Sequence, residues 1–320
     1  MNSFTLERAQ SVEKAIGAGG KFIAGGTTLV DLLKLGVETP PKLVDITRLP
    51  LAQLEELPNG GLRVGAMVRN SDLAHHPLVL ERYPVLSLAL LSGASPQLRN
   101  MATTGGNLLQ RTRCPYFRDP TYANCNKRNP GAGCAALEGH HRAMAVLGTS
   151  DHCIATHPSD MCVAMTALEA TIFIEGPKGK RSVSIGDFYK LPGETPHIEN
   201  VLEPGELITH VELPPAAKGQ TYLKLRDRAS YEFALASAAV VAQVEGGHVR
   251  SVRIALGGVG TRPWRSHEAE KALAGKAATP ANFKLAAEAA LKDAKPREEN
   301  GFKVELARRC LARALKTATA

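Results

Sequence analysis

KFIAGGTTLVDLLK, residues 21–34, passes from a short apolar segment through two glycines into a stretch with a helical apolar period. Lys21 to Ala24 predicts a strand, Gly25-Gly26 a turn, and Leu29, Leu32 and Leu33 one face of a helix. Thr28 and Asp31 stand where a capping box places its residues, and Gly36 can end the helix. Glycines let a backbone approach an anion closely, and the first amides of a helix offer N–H groups with the dipole sign that suits phosphate. A tight strand-to-helix turn alone also explains such a pair, and the chain has six Gly-Gly pairs. No GxGxxG follows a strand and no Gly-Lys-Ser/Thr is present, so neither standard nucleotide loop applies.

A second loop of the same kind is NMATTGGNL, residues 100–108, with Thr103, Thr104, Gly105, Gly106 and Asn107. Two such loops suit the two phosphates of a dinucleotide held between sub-lobes. Around them, a helix near Ser11 to Ala18, strands at KLVDI and GLRVGAM with the turn Asn59 to Gly61 between them, and a buried helix in PVLSLALLSGA give a mixed α/β unit. AMAVLG, residues 143–148, predicts a strand, and SDMCVAMTALEATIFIEG a helix followed by a strand. The turn residues from Glu175 to Arg181 suggest a boundary. Beyond it, strands at LITHVELP, TYLKLRDR, AAVVAQVE and VRIALGGV precede a helical tail from about Ser266, an antiparallel sheet with helices on it and thus an α+β unit.

Between Arg111 and Arg142 the apolar period vanishes, and a structureless loop of that length calls for a function or a staple. Five of the six cysteines, Cys114, Cys125, Cys134, Cys153 and Cys162, fall within about fifty residues; Cys310 stands apart. Ten, eight and eighteen residues separate the first four in turn, and no CxxC occurs, which disfavours ordinary structural zinc and thioredoxin-like chemistry. Four thiolates suit a [4Fe–4S] cluster. His140, His141, His152 and His157 keep a mixed Cys/His zinc site open. Cys162 lies within a helical pattern and reads as a core residue, like Cys310.

The 320 residues, 44% hydrophobic and 22% charged, fit two or three globular domains. No run approaches the ~20 apolar residues of a membrane span, and MNSFTLERAQ lacks the features of a secretory signal. The formal charge of +8 suits anionic ligands or acidic surfaces, while 5% aromatics and the absence of a recognition motif disfavour nucleic acid. Arg111, Arg113, Arg118, Lys127, Arg128 and Arg142 crowd the cysteine segment, to offset a thiolate cluster, to face an acidic partner, or simply as a solvated basic loop.

The strings KFIAGGTTLVDLLK, GASPQLRNMATTGGNLLQRTRCPYF, CNKRNPGAGCAALEG, IATHPSDM and LRDRASYEFALASAA resemble the FAD-binding subunits of bacterial periplasmic aldehyde oxidoreductases, within the xanthine dehydrogenase family, over essentially the whole chain. The resemblance implies a vanillyl-alcohol-oxidase-type FAD-binding domain over residues 1–178 with a [4Fe–4S] insertion at about 111–155. A C-terminal α+β domain like that of carbon monoxide dehydrogenase flavoproteins would span 179–320. It implies FAD contacts from Lys21, Phe22, Ile23, Ala24, Gly25, Gly26, Thr27, Thr28 and Leu29, then Thr103, Gly106 and Asn107, and from Asp160, Leu207 and Lys224. The cluster ligands would be Cys114, Cys125, Cys134 and Cys153. Read without the resemblance, Asp160 caps its helix and Lys224 lies on a solvated strand face.

The implied activity is electron transfer: electrons from a molybdenum-cofactor large subunit and a [2Fe–2S] small subunit, in a heterotrimer, reach an external acceptor through FAD. No molybdopterin site is evident in this chain, so substrate oxidation belongs to the large subunit. The compartment is the periplasm, by co-export with a signal-bearing partner, or the cytoplasm. The alternatives are the β-subunit of a 4-hydroxybenzoyl-CoA reductase-like enzyme and a zinc-stapled binding module without redox chemistry.

Overall fold

In the computed structural model, which describes residues 1–320, three sheets carry twelve strands. The first is parallel, with β1 (Thr5–Arg8), β2 (Lys21–Ile23) and β3 (Lys42–Asp45) in the order β1-β3-β2. The second comprises β4 (Leu54–Glu56), β5 (Leu62–Gly65), β6 (Thr171–Gly176), β7 (Gly179–Ser184) and β8 (Leu207–Leu213), antiparallel in the order β4-β5-β8-β6-β7. The third holds β9 (Gly219–Leu225), β10 (Ala236–Glu245), β11 (His248–Gly257) and β12 (Trp264–Arg265), order β12-β11-β10-β9.

Alternation on β10 explains how the halves join. Ala239 and Val241 face a core shared with the helices Pro84–Ser92 and Asp160–Ala167. Ala236, Ala238, Val240 and Ala242 face the opposite core, closed by the helices His267–Leu273, Pro280–Ala290 and Phe302–Ala318. A strand buried on both faces reads as one apolar run, which is how AAVVAQV appears in the sequence. The α+β class holds.

Four expectations change. The turn residues 176–179 close the β6–β7 hairpin, so a boundary at 178/179 cuts a pair of bonded strands. LITHVELP is β8, in the second sheet and not in the C-terminal one, and the first unit runs on through Leu213. AMAVLG is buried and extended, but the amides of both Val146 and Leu147 bond to the Val259 carbonyl, so it joins no ladder. Finally, Thr28 makes no side-chain cap bond; the Asp31 carboxylate instead takes Arg113 and Arg118 at 2.9 and 2.8 Å.

Candidate functional site

The two glycine loops lie back to back, and they divide the labour unequally. No backbone N–H from Gly25 to Thr28 finds an acceptor in the chain. In the second loop, by contrast, Thr104 donates to Val68, Gly105 to Ala66, and Asn107 to Thr103, while the Gly106 amide donates to the capping Thr103 hydroxyl at 3.2 Å. The first loop therefore holds the free donors an anion needs, and the second forms a wall. They touch directly: a Cβ on Gly25 would lie 1.7 Å from the Met101 carbonyl oxygen.

Two cavities meet at these loops. One, of about 170 Å³, is largely apolar, with Phe22, Leu29, Ile46, Met67, Leu207 and Ile208 in its wall. The other, of about 250 Å³, is the more polar of the two and contains Asn70, Arg99, Arg113, Asp160 and Lys224. Thr27, Thr28 and Gly106 line both. Of the fifteen residues expected to contact FAD, only Ile23 lines neither cavity; its carbonyl instead accepts from the Ile46 amide. Asn107 accepts through Oδ1 from Gln110 and from the Ser159 hydroxyl, at 2.5 and 2.6 Å, which leaves its amide nitrogen for a ligand. An apolar chamber, a run of open amides and a polar chamber in sequence fit an elongated dinucleotide with one flat apolar end and one polar redox ring.

Asp160 and Lys224 come together from opposite halves of the chain. Lys224 Nζ donates to Asp160 Oδ2 at 2.8 Å and to the Ser92 carbonyl at 3.0 Å, and the two side chains are 4% and 8% exposed. The Tyr222 hydroxyl donates to Asp160 Oδ1 at 2.5 Å, and burial together with this carboxylate holds the phenol well above its ordinary pKa. Asp160 is not the helix cap and Lys224 is not on a solvated face, since Ser159 caps the helix and the lysine side chain is buried. Tyr222, Asn70 and Arg99 carry no motif and escape sequence reasoning. Only the alternation of Tyr222 with Lys224 on one strand hints that the phenol shares the lysine's face.

The cysteine loop packs against the far side of the helix Leu29–Lys34. Cys114, Cys125 and Cys153 are buried in one cluster with Leu32, Phe117 and Ile154, and Cys134 packs against it half-buried. All six cysteines are free thiols. Burial pushes Cys114 up to about 12 and Cys153 to about 11, while amides from Tyr116, Phe117 and Ala155 turn toward those sulfurs and pull the other way. Ala136, Leu137 and Ile154 direct amides toward Cys134. Mutually interacting buried thiols surrounded by N–H donors are the surroundings a thiolate-bound iron–sulfur core requires.

No three His, Cys, Asp or Glu side chains are placed to hold a single metal ion, and His140, 93% exposed, pairs with Glu299. Cys162 receives the Tyr189 hydroxyl at 3.0 Å, and Cys310 approaches the Leu223 carbonyl at 3.6 Å. The basic residues are engaged within the chain: Arg111 bridges Glu38 and Glu199, Lys127 joins Glu199, and Arg142 pairs with Asp227. Arg128 donates to the carbonyls of Tyr116, Phe117 and Tyr122. The basic side chains of this segment are thus paired within the chain.

The family described as the FAD binding domain in molybdopterin dehydrogenase matches residues 2–216, and the CO dehydrogenase flavoprotein C-terminal domain matches 221–318. The chain belongs to this flavoprotein family. It is 54% identical to the aldehyde oxidoreductase FAD-binding subunit PaoB of Escherichia coli, over 100% of this chain and 99% of that one. It is 29% identical to the glyceraldehyde dehydrogenase medium chain of Sulfolobus acidocaldarius, over 85% of this chain and 82% of the relative. Among solved structures, carbon monoxide dehydrogenase from Hydrogenophaga pseudoflava matches with a TM-score of 0.77 and 30% identity, over 99% and 97% of the two chains. As a member of the xanthine dehydrogenase family's medium subunits, the flavoprotein carries both glycine loops in the segment matched by the FAD binding domain.

His157 sits beside this site in T-shaped contact with Tyr189, and burial lowers its pKa to about 4. A histidine depressed in the folded state favours folding while it is neutral, so its contribution is complete above 6.5 and lost as pH falls toward 4. Unfolding free energy should drop across that window by up to about 1.4 kcal/mol per pH unit from this group. His157→Gln should flatten the dependence of melting temperature on pH. Equal slopes in the two proteins would show the imidazole to be solvated.

Proposed function

We propose that this flavoprotein is the FAD and [4Fe–4S] electron-transfer subunit of a molybdenum-containing aldehyde oxidoreductase. The observation that carries the reading is the pair of cavities joined at a glycine loop whose four successive amides have no partner in the chain. Gly25 to Thr28 would hold the pyrophosphate, the apolar chamber beside Leu207 the adenine, and the chamber beside Asp160 and Lys224 the isoalloxazine. Lys224 would favour negative charge on the ring. Bound FAD supplies the conversion between single electrons and electron pairs. Cys114, Cys125, Cys134 and Cys153 would hold the cluster, with the surrounding amides stabilising its sulfurs.

The aldehyde substrate rests on the 54% identity to the Escherichia coli aldehyde oxidoreductase subunit. The oxidation itself would take place on a molybdenum-cofactor large subunit, with a [2Fe–2S] small subunit between, in a heterotrimer. No helix here is long and apolar enough to cross a membrane. A periplasmic address would come from a signal-bearing partner.

Anaerobic aldehyde added to this chain alone should leave the flavin absorbance unchanged, and addition of the molybdenum and [2Fe–2S] subunits should bleach it. Bleaching without partners would place substrate oxidation in this chain and overturn the electron-transfer reading.

A further inference from the structure

Iron–sulfur donors deliver electrons without protons, whereas reducing a flavin by an electron pair at neutral pH draws in a proton. A third cavity, of about 230 Å³, lies between Cys114 on one side and Asp160 on the other. Its lining residues include Arg113, His157 and Ser237, whose Nε, Nε2 and Oγ are three of the eight buried polar side-chain atoms in the molecule that have no partner in the chain. Buried polar groups are almost always satisfied, by ordered water if not by protein, and this space is roomy and polar enough to hold water. Gly257 lets β11 pack closely along its wall: a Cβ there would stand 2.5 Å from both Ser237 Oγ and a Val163 methyl. The outer rim carries the half-exposed Arg142–Asp227 ion pair.

The inner end connects to the flavin chamber. Ser237 is directly opposite Lys224 in the β9–β10 register, and Tyr222 lies two residues along on the same face. Ser237 stands beside the phenol, the phenol donates to Asp160, and Asp160 accepts from Lys224, which lines the polar chamber. We propose that this cavity is a hydrated proton inlet: water held by Arg113, His157 and Ser237 relays protons through Tyr222 and Asp160 to Lys224 at the ring. The inlet rests on the FAD assignment above. For each electron pair delivered by the iron–sulfur donors, one proton enters from bulk water; when the external acceptor removes the pair, that proton leaves by the same route. Tyr222, Asp160 and Ser237 are positioning and relay groups.

A crystal structure of the FAD-loaded chain should show ordered water within hydrogen-bond distance of His157 Nε2 and Ser237 Oγ. A dry cavity, or one filled by the cofactor, would refute the inlet. Tyr222→Phe and Ser237→Ala should keep their flavin yet slow its reduction by dithionite, Tyr222→Phe by at least about tenfold, the low side of what a positioned proton donor contributes. Their solvent deuterium isotope effects should exceed that of the unmodified chain, a change that loosened packing would not produce. Flavin-loaded Tyr222→Phe with the original rate and isotope effect overturns the inlet alone. An unmodified chain that holds no flavin refutes the site assignment, and the inlet falls with it.

Discussion

Gly106→Val should yield a folded chain that no longer retains flavin. A Cβ at Gly106 meets only the Thr103 hydroxyl, at 3.0 Å, so the added methyl groups have nowhere to go except the space where the two chambers join. The cofactor must cross that space, and a loss of about 3 kcal/mol, the size of a typical overpacking penalty, corresponds to roughly a hundredfold in affinity. Gly25→Ala makes the opposite comparison. Its Cβ would strike the Met101 backbone, forcing the two loops apart and lowering the melting temperature even without ligand. Flavin absorbance per chain, measured with thermal melts, separates the two effects. Full flavin content in well-folded Gly106→Val would show that the cofactor passes elsewhere.

On the ligand set proposed above, serine at any one of positions 114, 125, 134 or 153 should abolish iron–sulfur binding, whereas Cys162→Ser and Cys310→Ser should retain it. The first four thiols lie in or against one buried cluster, and amides converge on Cys114, Cys134 and Cys153. Cys162 is tied instead to Tyr189, and Cys310 packs against the third sheet. A hydroxyl is a poor ligand for iron at neutral pH because its proton is held far more tightly than a thiol's. Iron and acid-labile sulfide per chain should fall to near zero in the four and stay at the original level in the other two. Loss of iron in Cys162→Ser with retention in Cys153→Ser would exchange those two roles.

What the sequence reveals about this molecule is what depends on neighbours. The strand, turn and helix from Lys21 to Lys34 follow from local pattern, as do the helix Pro84–Ser92 and the helix that Ser11 caps. What it hides is pairing at a distance. Gly176 and Gly179 signal a change of direction, but a hairpin and a linker use the same residues, and only the bonding of β6 to β7 tells them apart. Val146 and Leu147 look like strand residues because they are apolar and buried, yet burial alone supplies no partner strand. Charge is equally ambiguous: nothing near Arg111 announces that Glu38 and Glu199, 73 and 88 residues away, will neutralise it. The same holds for Asp160 and Lys224, whose meeting is set by a helix from one half packing on a sheet from the other.

The segment just before Cys153 is fastened by the far end of the chain. Lys303 Nζ bonds to the carbonyls of Ala143 and Met144, Asn300 reaches Met144 and Ala145, and the Glu299 carboxylate receives the His141 amide. During synthesis those fasteners emerge long after all four loop cysteines are in solution. Contacts so distant in sequence form late. The order of biogenesis follows: the glycine loops can take shape on the growing chain, but the pocket of thiols closes only once residues 299–303 have emerged. On the reading proposed above, iron and sulfide would enter in the interval before the helix Phe302–Ala318 docks.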